Sequence, residues 1–131
     1  ELERLISRSA ARRASIDERR RFRRIAHDFQ RSARANDDVA FMRTDREFNS
    51  LQSAATRNEF AAGAMALMHG LSRRFWYIHY KQAADMPLTA KLHADIASAI
   101  ADRDEARAAE ATDRLLDGIE KFTRDSPSTD V

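Results

Sequence analysis

The residue types that could do chemistry in this 131-residue chain are few, and their spacing disfavours catalysis. There is no cysteine, so thiol nucleophiles, disulfides and thiolate metal sites are excluded together. No glycine-rich phosphate loop, no GxSxG and no HExxH occurs. The Glu-x-x-His pairs that carboxylate-bridged metal enzymes use on helical bundles are also missing. Ser50 and Ser53 fall mid-helix with no base nearby in sequence. The chain reads as a binding protein rather than an enzyme.

The densest concentration of binding chemistry is Ser72-Arg73-Arg74-Phe75-Trp76-Tyr77-Ile78-His79-Tyr80. Successive helical residues point about 100° apart, so Phe75, Trp76 and Tyr77 cannot all enter one core. Either two are core and one sits at its boundary, or the helix walls a ligand pocket. In the second case Arg73 or Arg74 offers its guanidinium to a carboxylate, and His69, one turn before Arg73, joins the wall. Met65, Met68 and Phe75 read as ordinary packing. Asp45 and Asn49 stand four apart, on one face of a helix. Taken alone, Asp45 suits a surface acid pairing with an arginine, and His93 a half-buried histidine bonded to a carboxylate.

Six helical segments must position these groups. The first spans about 2–14, with Leu2, Leu5, Ile6 and Ala10 on one face. Ser15-Ile16-Asp17-Glu18 is a capping box that opens a second helix to about Ala35, with Phe22, Ile25, Ala26, Phe29 and Ala33 inward. After the Asn36-Asp37-Asp38 break, a third helix buries Phe41, Phe48, Leu51 and Ala55. Thr56-Arg57-Asn58 punctuates, and a fourth helix runs to about Ala84. Its Gly63 and Gly70, seven apart, would permit close helix contact. Asp85-Met86-Pro87 ends it. A fifth helix from Leu88 to about Ala101 buries Leu92, Ile96 and Ile100. A sixth, about 104–123, buries Ala108, Leu115 or Leu116, Ile119 and Phe122. Residues 126–131 form a frayed tail. Period-two alternation is absent, so no strand is predicted, and the fold class is all-α, an antiparallel bundle of about six helices in one domain over 1–125.

Thr44-Asp45-Arg46-Glu47-Phe48-Asn49-Ser50-Leu51, followed by Ala54-Ala55 and Asn58, resembles the D-x-x-F-H-x-x-L-x-x-A-x-x-N stretch of the FCD domain, the effector-binding domain of the FadR branch of GntR transcription regulators. Leu92-His93-Ala94-Asp95-Ile96-Ala97-Ser98-Ala99-Ile100 is similar to the family's H-x-x-I-x-x-A-I. Asp104 with the alanines at 106, 108, 109 and 111, leading to Leu115-Leu116, looks like its G-D-x-x-A-x-x-A-x-x-x-H-L helix. The motifs keep the family's order across nearly the whole chain, and six helices suit the VanR-like subgroup.

The resemblance implies an aspartate and three histidines around a divalent metal that helps bind a small carboxylate. Here Asp45 and His93 match, whereas Asn49 and Leu115 replace histidines. Asparagine offers a carbonyl oxygen suited to hard cations, and leucine offers nothing. The expected outcome is no tightly held cofactor, a weak divalent metal at most, and a pocket in which Asp45, Asn49 and His93 meet the ligand directly. Asp113, about half a turn from Leu115, is a shifted alternative ligand. The resemblance also implies a homodimer and an N-terminal winged helix-turn-helix for DNA; none precedes Ser15, so the chain reads as a domain of a longer protein. The rival reading is a helical protein-interaction module without a small-molecule site.

Composition agrees with this frame. The chain is 43% hydrophobic and 34% charged with a formal charge of +2. Arg8 to Arg34 holds ten arginines against Asp17, Glu18 and Asp28, and Asp95 to Asp125 holds nine acids against five bases. That asymmetry fits intramolecular complementarity or a surface for nucleic acid or another domain. Within Arg19–Arg24 the arginines point around most of the helix, which favours a solvated face paired with acids over a nucleic-acid face. Lacking a signal peptide or an apolar run of about 20 residues, the chain is expected to be cytoplasmic, away from membranes.

Overall fold

The computed structural model describes the backbone of residues 1–83 and 85–125, and their side chains except those of residues 76–83, 122 and 123. The tail expected at 126–131, and the side chains of Trp76, Tyr77 and Phe122, lie outside the described residues. Six helices follow one another: α1 (Leu2–Arg13), α2 (Ile16–Ala35), α3 (Asp38–Ala55), α4 (Glu59–Ala83), α5 (Met86–Ala101) and α6 (Glu105–Asp125). There is no strand among the described residues.

Each helix from α2 onward begins in the same way. A short polar side chain accepts a hydrogen bond from the backbone N–H three residues later, satisfying one of the helix's orphan donors. Ser15 accepts from Glu18 N at 3.1 Å, and Glu18 Oε1 returns the favour to Ser15 N at 3.4 Å, completing the capping box. Asp37 accepts from Ala40 N, Asn58 from Ala61 N, Asp85 from Leu88 N and Asp104 from Arg107 N, all at 3.0 Å.

Three helix exits use left-handed backbone at Asn36 (φ 50°), Arg57 (φ 55°) and Arg103 (φ 57°). Glycine would take this conformation without steric cost, but the chain has only three glycines and spends none here. Arg57 is compensated. Its guanidinium forks onto the Glu18 carboxylate, with Nη1 3.1 Å from Oε2, and also donates to Ala54 O at 2.8 Å.

The Asp85-Met86-Pro87 break behaves differently from a simple terminator. Met86 and Pro87 belong to α5, with Asp85 as its cap and the proline in the first turn. A missing N–H costs nothing there, because first-turn donors have no intrahelical partner.

Packing is most extensive between α2 and α5. The alanines at 90, 94, 97 and 101 of α5 are all buried, at helical spacing, and let another helix approach closely. Phe22, Ile25 and Phe29 of α2 are fully buried, as are Phe41, Phe48, Leu51 and Ala55 of α3 at 4% exposure or less. Phe29 packs against Phe41 and Phe48 with ring centroids 5.9 and 5.7 Å apart, within the favourable range for aromatic pairs. Two residues expected inside are substantially exposed: Leu5 (49%) and Ile119 (41%). The helical stripe on which they lie is wider than the neighbouring helices cover. α4 joins the bundle through a smaller satellite cluster of Ile6, Ala61 and Met65, with Leu2 at its edge.

Candidate functional site

Side chains of α1, α3, α4, α5 and α6 line a half-open cavity of about 430 Å³. That volume falls within the range of about 300–1,000 Å³ usual for small-ligand sites. One polar cluster is built from α3 and α5. Asp45 and Asn49, one turn apart on α3, face His93 on α5. His93 Nε2 lies 3.2 Å from Asp45 Oδ1, and Asn49 Nδ2 donates to Asp45 Oδ2 at 3.4 Å. A solid interior with Asp45 and His93 far apart would have favoured the interaction-module reading. The two side chains instead form a close pair at the wall of a hollow.

The proton on this pair follows from its neighbours. His93 Nδ1 is 2.8 Å from the carbonyl oxygen of Thr89, one turn earlier, and a carbonyl can only accept. Nδ1 therefore carries hydrogen. Nε2 then faces a carboxylate oxygen, a contact that repels unless Nε2 is protonated as well. Burial, the largest influence on His93, pushes its pKa down. The hydrogen bond and charge of Asp45, the Thr89 carbonyl and the charge of Glu3 together outweigh burial and hold it above the ordinary 6.5. The phenylalanine rings of Phe29, Phe41 and Phe48 surround the imidazole at centroid distances of 5.2, 5.7 and 6.0 Å. They bury most of the imidazole and leave Asp45 as its principal counter-charge.

From α4, His69 and Arg73 reach the cavity, whereas Arg74 is exposed and does not line it. The helix turns Arg74 about 100° away from Arg73. Burial, opposed by Asp45 and reinforced by Arg73 and His93, pushes His69 below the usual histidine value, so it is neutral at pH 7. Phe75 and Met65 also line the hollow. Met65 is fully buried, while Met68 is 43% exposed.

Several cavity residues escaped the sequence reading: Glu3 and Ser7 on α1, Gln52 on α3 and Thr112 on α6. A signal for three of them existed. Ser7, Gln52 and Thr112 are polar residues directly beside the inward-facing Ile6, Leu51 and Ala111 in sequence, and buried polar residues need a reason. Glu3 stands one turn before Ser7 and shares its face.

The donor set does not fit a firmly held transition metal. Leu115 is buried at the cavity wall and presents only methyl groups where the family pattern has histidine. Both His93 nitrogens are already engaged. Among the described residues, no group of three or more histidine, cysteine, aspartate or glutamate side chains is placed to hold a metal ion.

The arginine-rich face of α2 is knitted to the protein. Arg19 donates to the carbonyl of Ala101 at 3.3 Å, Arg20 pairs with Asp17 at 3.4 Å and Arg23 with Asp102 at 3.5 Å. Arg24 bridges Asp28 and Glu47. With Arg4 beside Asp113 at 3.3 Å, the basic N-terminal part meets acids of the C-terminal part, as intramolecular complementarity requires. Among the described residues, no helix is long and apolar enough to cross a membrane.

No curated protein and no solved structure matches the chain significantly. The family model described as the FCD domain matches residues 1–118, most of the chain, from α1 into α6. Matched over that span, with six helices and the Asp45–His93 pair in the expected order, this chain belongs to the FCD domain family, the effector-binding C-terminal domains of GntR transcription regulators.

Proposed function

We propose that this domain senses a small organic acid, which it holds in the interhelical cavity without a tightly bound metal. The observation that carries the reading is the meeting of Asp45, Asn49 and His93 at the wall of a half-open interhelical hollow of about 430 Å³. Arg73 supplies the fixed positive charge for a carboxylate, neutral His69 a further hydrogen-bonding group, and the phenylalanine and leucine side chains the apolar remainder. Asp45 holds His93 in place and neutralises it, so the imidazolium does not stand as a bare buried charge.

The acid acts by binding one arrangement of the bundle better than another, which is what a switch requires. Couplings of about 1–3 kcal/mol suffice, within reach of a few directed hydrogen bonds. The domain works as a homodimer that repositions DNA-binding domains attached at its N-terminus, in the cytoplasm, with six helices supporting a VanR-like placement. Support for the dimer comes from α4. Phe60 (92% exposed), Leu67 (71%) and Leu71 (63%) form a stripe along one side of that helix. Among the described residues Gly63 and Gly70 make no close contact, since a Cβ built on either would meet nothing within 4 Å. Their expected role in close helix contact therefore falls to a second copy.

Titration with a panel of mono- and dicarboxylic acids, followed by thermal denaturation, tests the sensor. An acid present at about 100 times its Kd should raise the melting temperature by roughly 5–10 °C, with the rise much reduced in Arg73→Ala. No shift across the panel sinks the reading. Repeating the titration with a chelator should leave the effect unchanged; if the chelator abolishes it, the metal-free part is wrong.

A further inference from the structure

At the α1–α3–α6 corner of the cavity, three buried polar side chains form a chain whose protons can be counted. Ser7, Gln52 and Thr112 are exposed by only 1%, 6% and 2%. The Gln52 side-chain amide touches Ser7 Oγ at 2.9 Å, Ser7 Oγ touches Thr112 Oγ1 at 2.7 Å, and Thr112 Oγ1 touches the carbonyl oxygen of Ala108 at 2.8 Å. The Ala108 carbonyl has no hydrogen, so Thr112 spends its single proton there. The Ser7–Thr112 contact then requires the Ser7 proton. Nothing remains for Ser7 to give to Gln52, so Gln52 must donate, and its nitrogen faces Ser7. In the flipped orientation two hydroxyl protons would have to serve three acceptor contacts, leaving one buried contact as lone pair against lone pair.

The amide is thereby locked with Oε1 turned away from Ser7. That oxygen has no hydrogen-bond partner among the described residues and is not sealed off from the hollow that Gln52 lines. Glu3, one turn before Ser7, lines the cavity as well and has no ion pair or hydrogen bond among the described residues. Burial pushes its carboxyl above the usual range, while His93 and the amino terminus pull it back. This corner therefore offers acceptors, whereas α4 offers Arg73 and its positive charge.

We infer that the ligand carries a hydrogen-bond donor, an amino or hydroxyl group, in addition to its carboxylate, and that Gln52, held by Ser7 and Thr112, is the residue that selects it. The inference rests on the organic-acid reading and narrows it to amino or hydroxy acids.

Matched ligand series measured by calorimetry on the purified domain test it: 3-phenyllactate and phenylalanine against phenylpyruvate and 3-phenylpropionate, and malate and aspartate against oxaloacetate and succinate. In at least one series a donor-bearing acid should bind about tenfold or more tighter than its keto and unsubstituted counterparts, because an acceptor left buried and unpaired is costly. Gln52→Leu should erase that ratio, because no acceptor is then left to favour the donor-bearing acid. Ser7→Ala and Thr112→Val should erase it too, since each frees the amide to turn its nitrogen inward; two independent variants guard against one folding poorly. Equal binding within every series, or a ratio untouched by these substitutions, overturns the inference and leaves the acid sensor standing. Failure of all eight compounds to bind counts against the sensor itself.

Discussion

Two walls of the cavity, α5 and α4, are built on opposite plans. Nine α5 residues are buried, His93 among them, and the helix lies in extensive contact with α2. Of the described side chains on α4, only Ala61 and Met65 are buried, while Phe60, Leu67 and Leu71 stand in solvent. α5 presents a histidine fixed by a carbonyl, a carboxylate and three aromatic rings. α4 presents Arg73 and His69 on a helix with little of its own apolar surface covered. Sub-structures with few buried contacts open at lower free energy than the core. A rigid wall can hold a ligand group in register, and a lightly held wall can respond to it. Under the proposed sensor function, the difference suits α5 with α3 to holding ligand groups in place and α4, with Arg73, to responding to them.

The sharpest way to break that comparison is to damage the fixed wall. Phe29→Ala should cost about 3–5 kcal/mol, because its ring supports Phe41, Phe48 and His93 together. Met65→Ala on the α4 side should cost less, about 2 kcal/mol, since its satellite cluster is small. Denaturant titration of both variants measures the contrast, and equal losses would deny that the walls differ.

The Asp45–His93 pair gives a smaller effect with a pH signature. Asp45→Asn should cost about 1–2 kcal/mol near pH 6 and little near pH 9. His93 is held above its ordinary value of 6.5 in the folded protein. Its contribution is therefore complete below about pH 6.5 and lost as pH rises through the folded-state value. His69, pushed below 6.5, acts with opposite sign, losing stability as pH falls. Removing the Asp45 charge lowers His69 further, and so deepens the loss on the acid side. Melting curves from pH 5.5 to 9 check this; a uniform loss across that range would mean that no proton is bound between the two side chains.

The smallest stability effect belongs to the stripe on α4. Leu67→Glu should change monomer stability by no more than about 0.5 kcal/mol, as expected at an exposed position, yet shift sedimentation from dimer to monomer. A variant that stays dimeric would move the interface elsewhere.

Much of the fold was legible because its determinants are local. Five polar caps, each three residues before the N–H it satisfies, mark the helix starts, and the apolar periodicity of Phe22, Ile25 and Phe29 marks the inward face. Pro87 misled only about a boundary, since proline both stops a preceding helix and suits the first turn of the next. The spacing of Asp45 and Asn49 placed them on one face, and the motif order linked them to His93.

The sequence by itself thus determined six helices, their inward faces and the residues of one polar cluster, because capping and periodicity act within a few residues of chain. Only the tertiary structure decided that Arg73 and not Arg74 reaches the hollow, that Leu5 and Ile119 stay partly outside, and that Glu3, Ser7, Gln52 and Thr112 join the site. Those outcomes depend on which helices pack together and how far each is rotated. Ser7 and Thr112 meet at a sequence separation of 105, a distance over which no local rule operates.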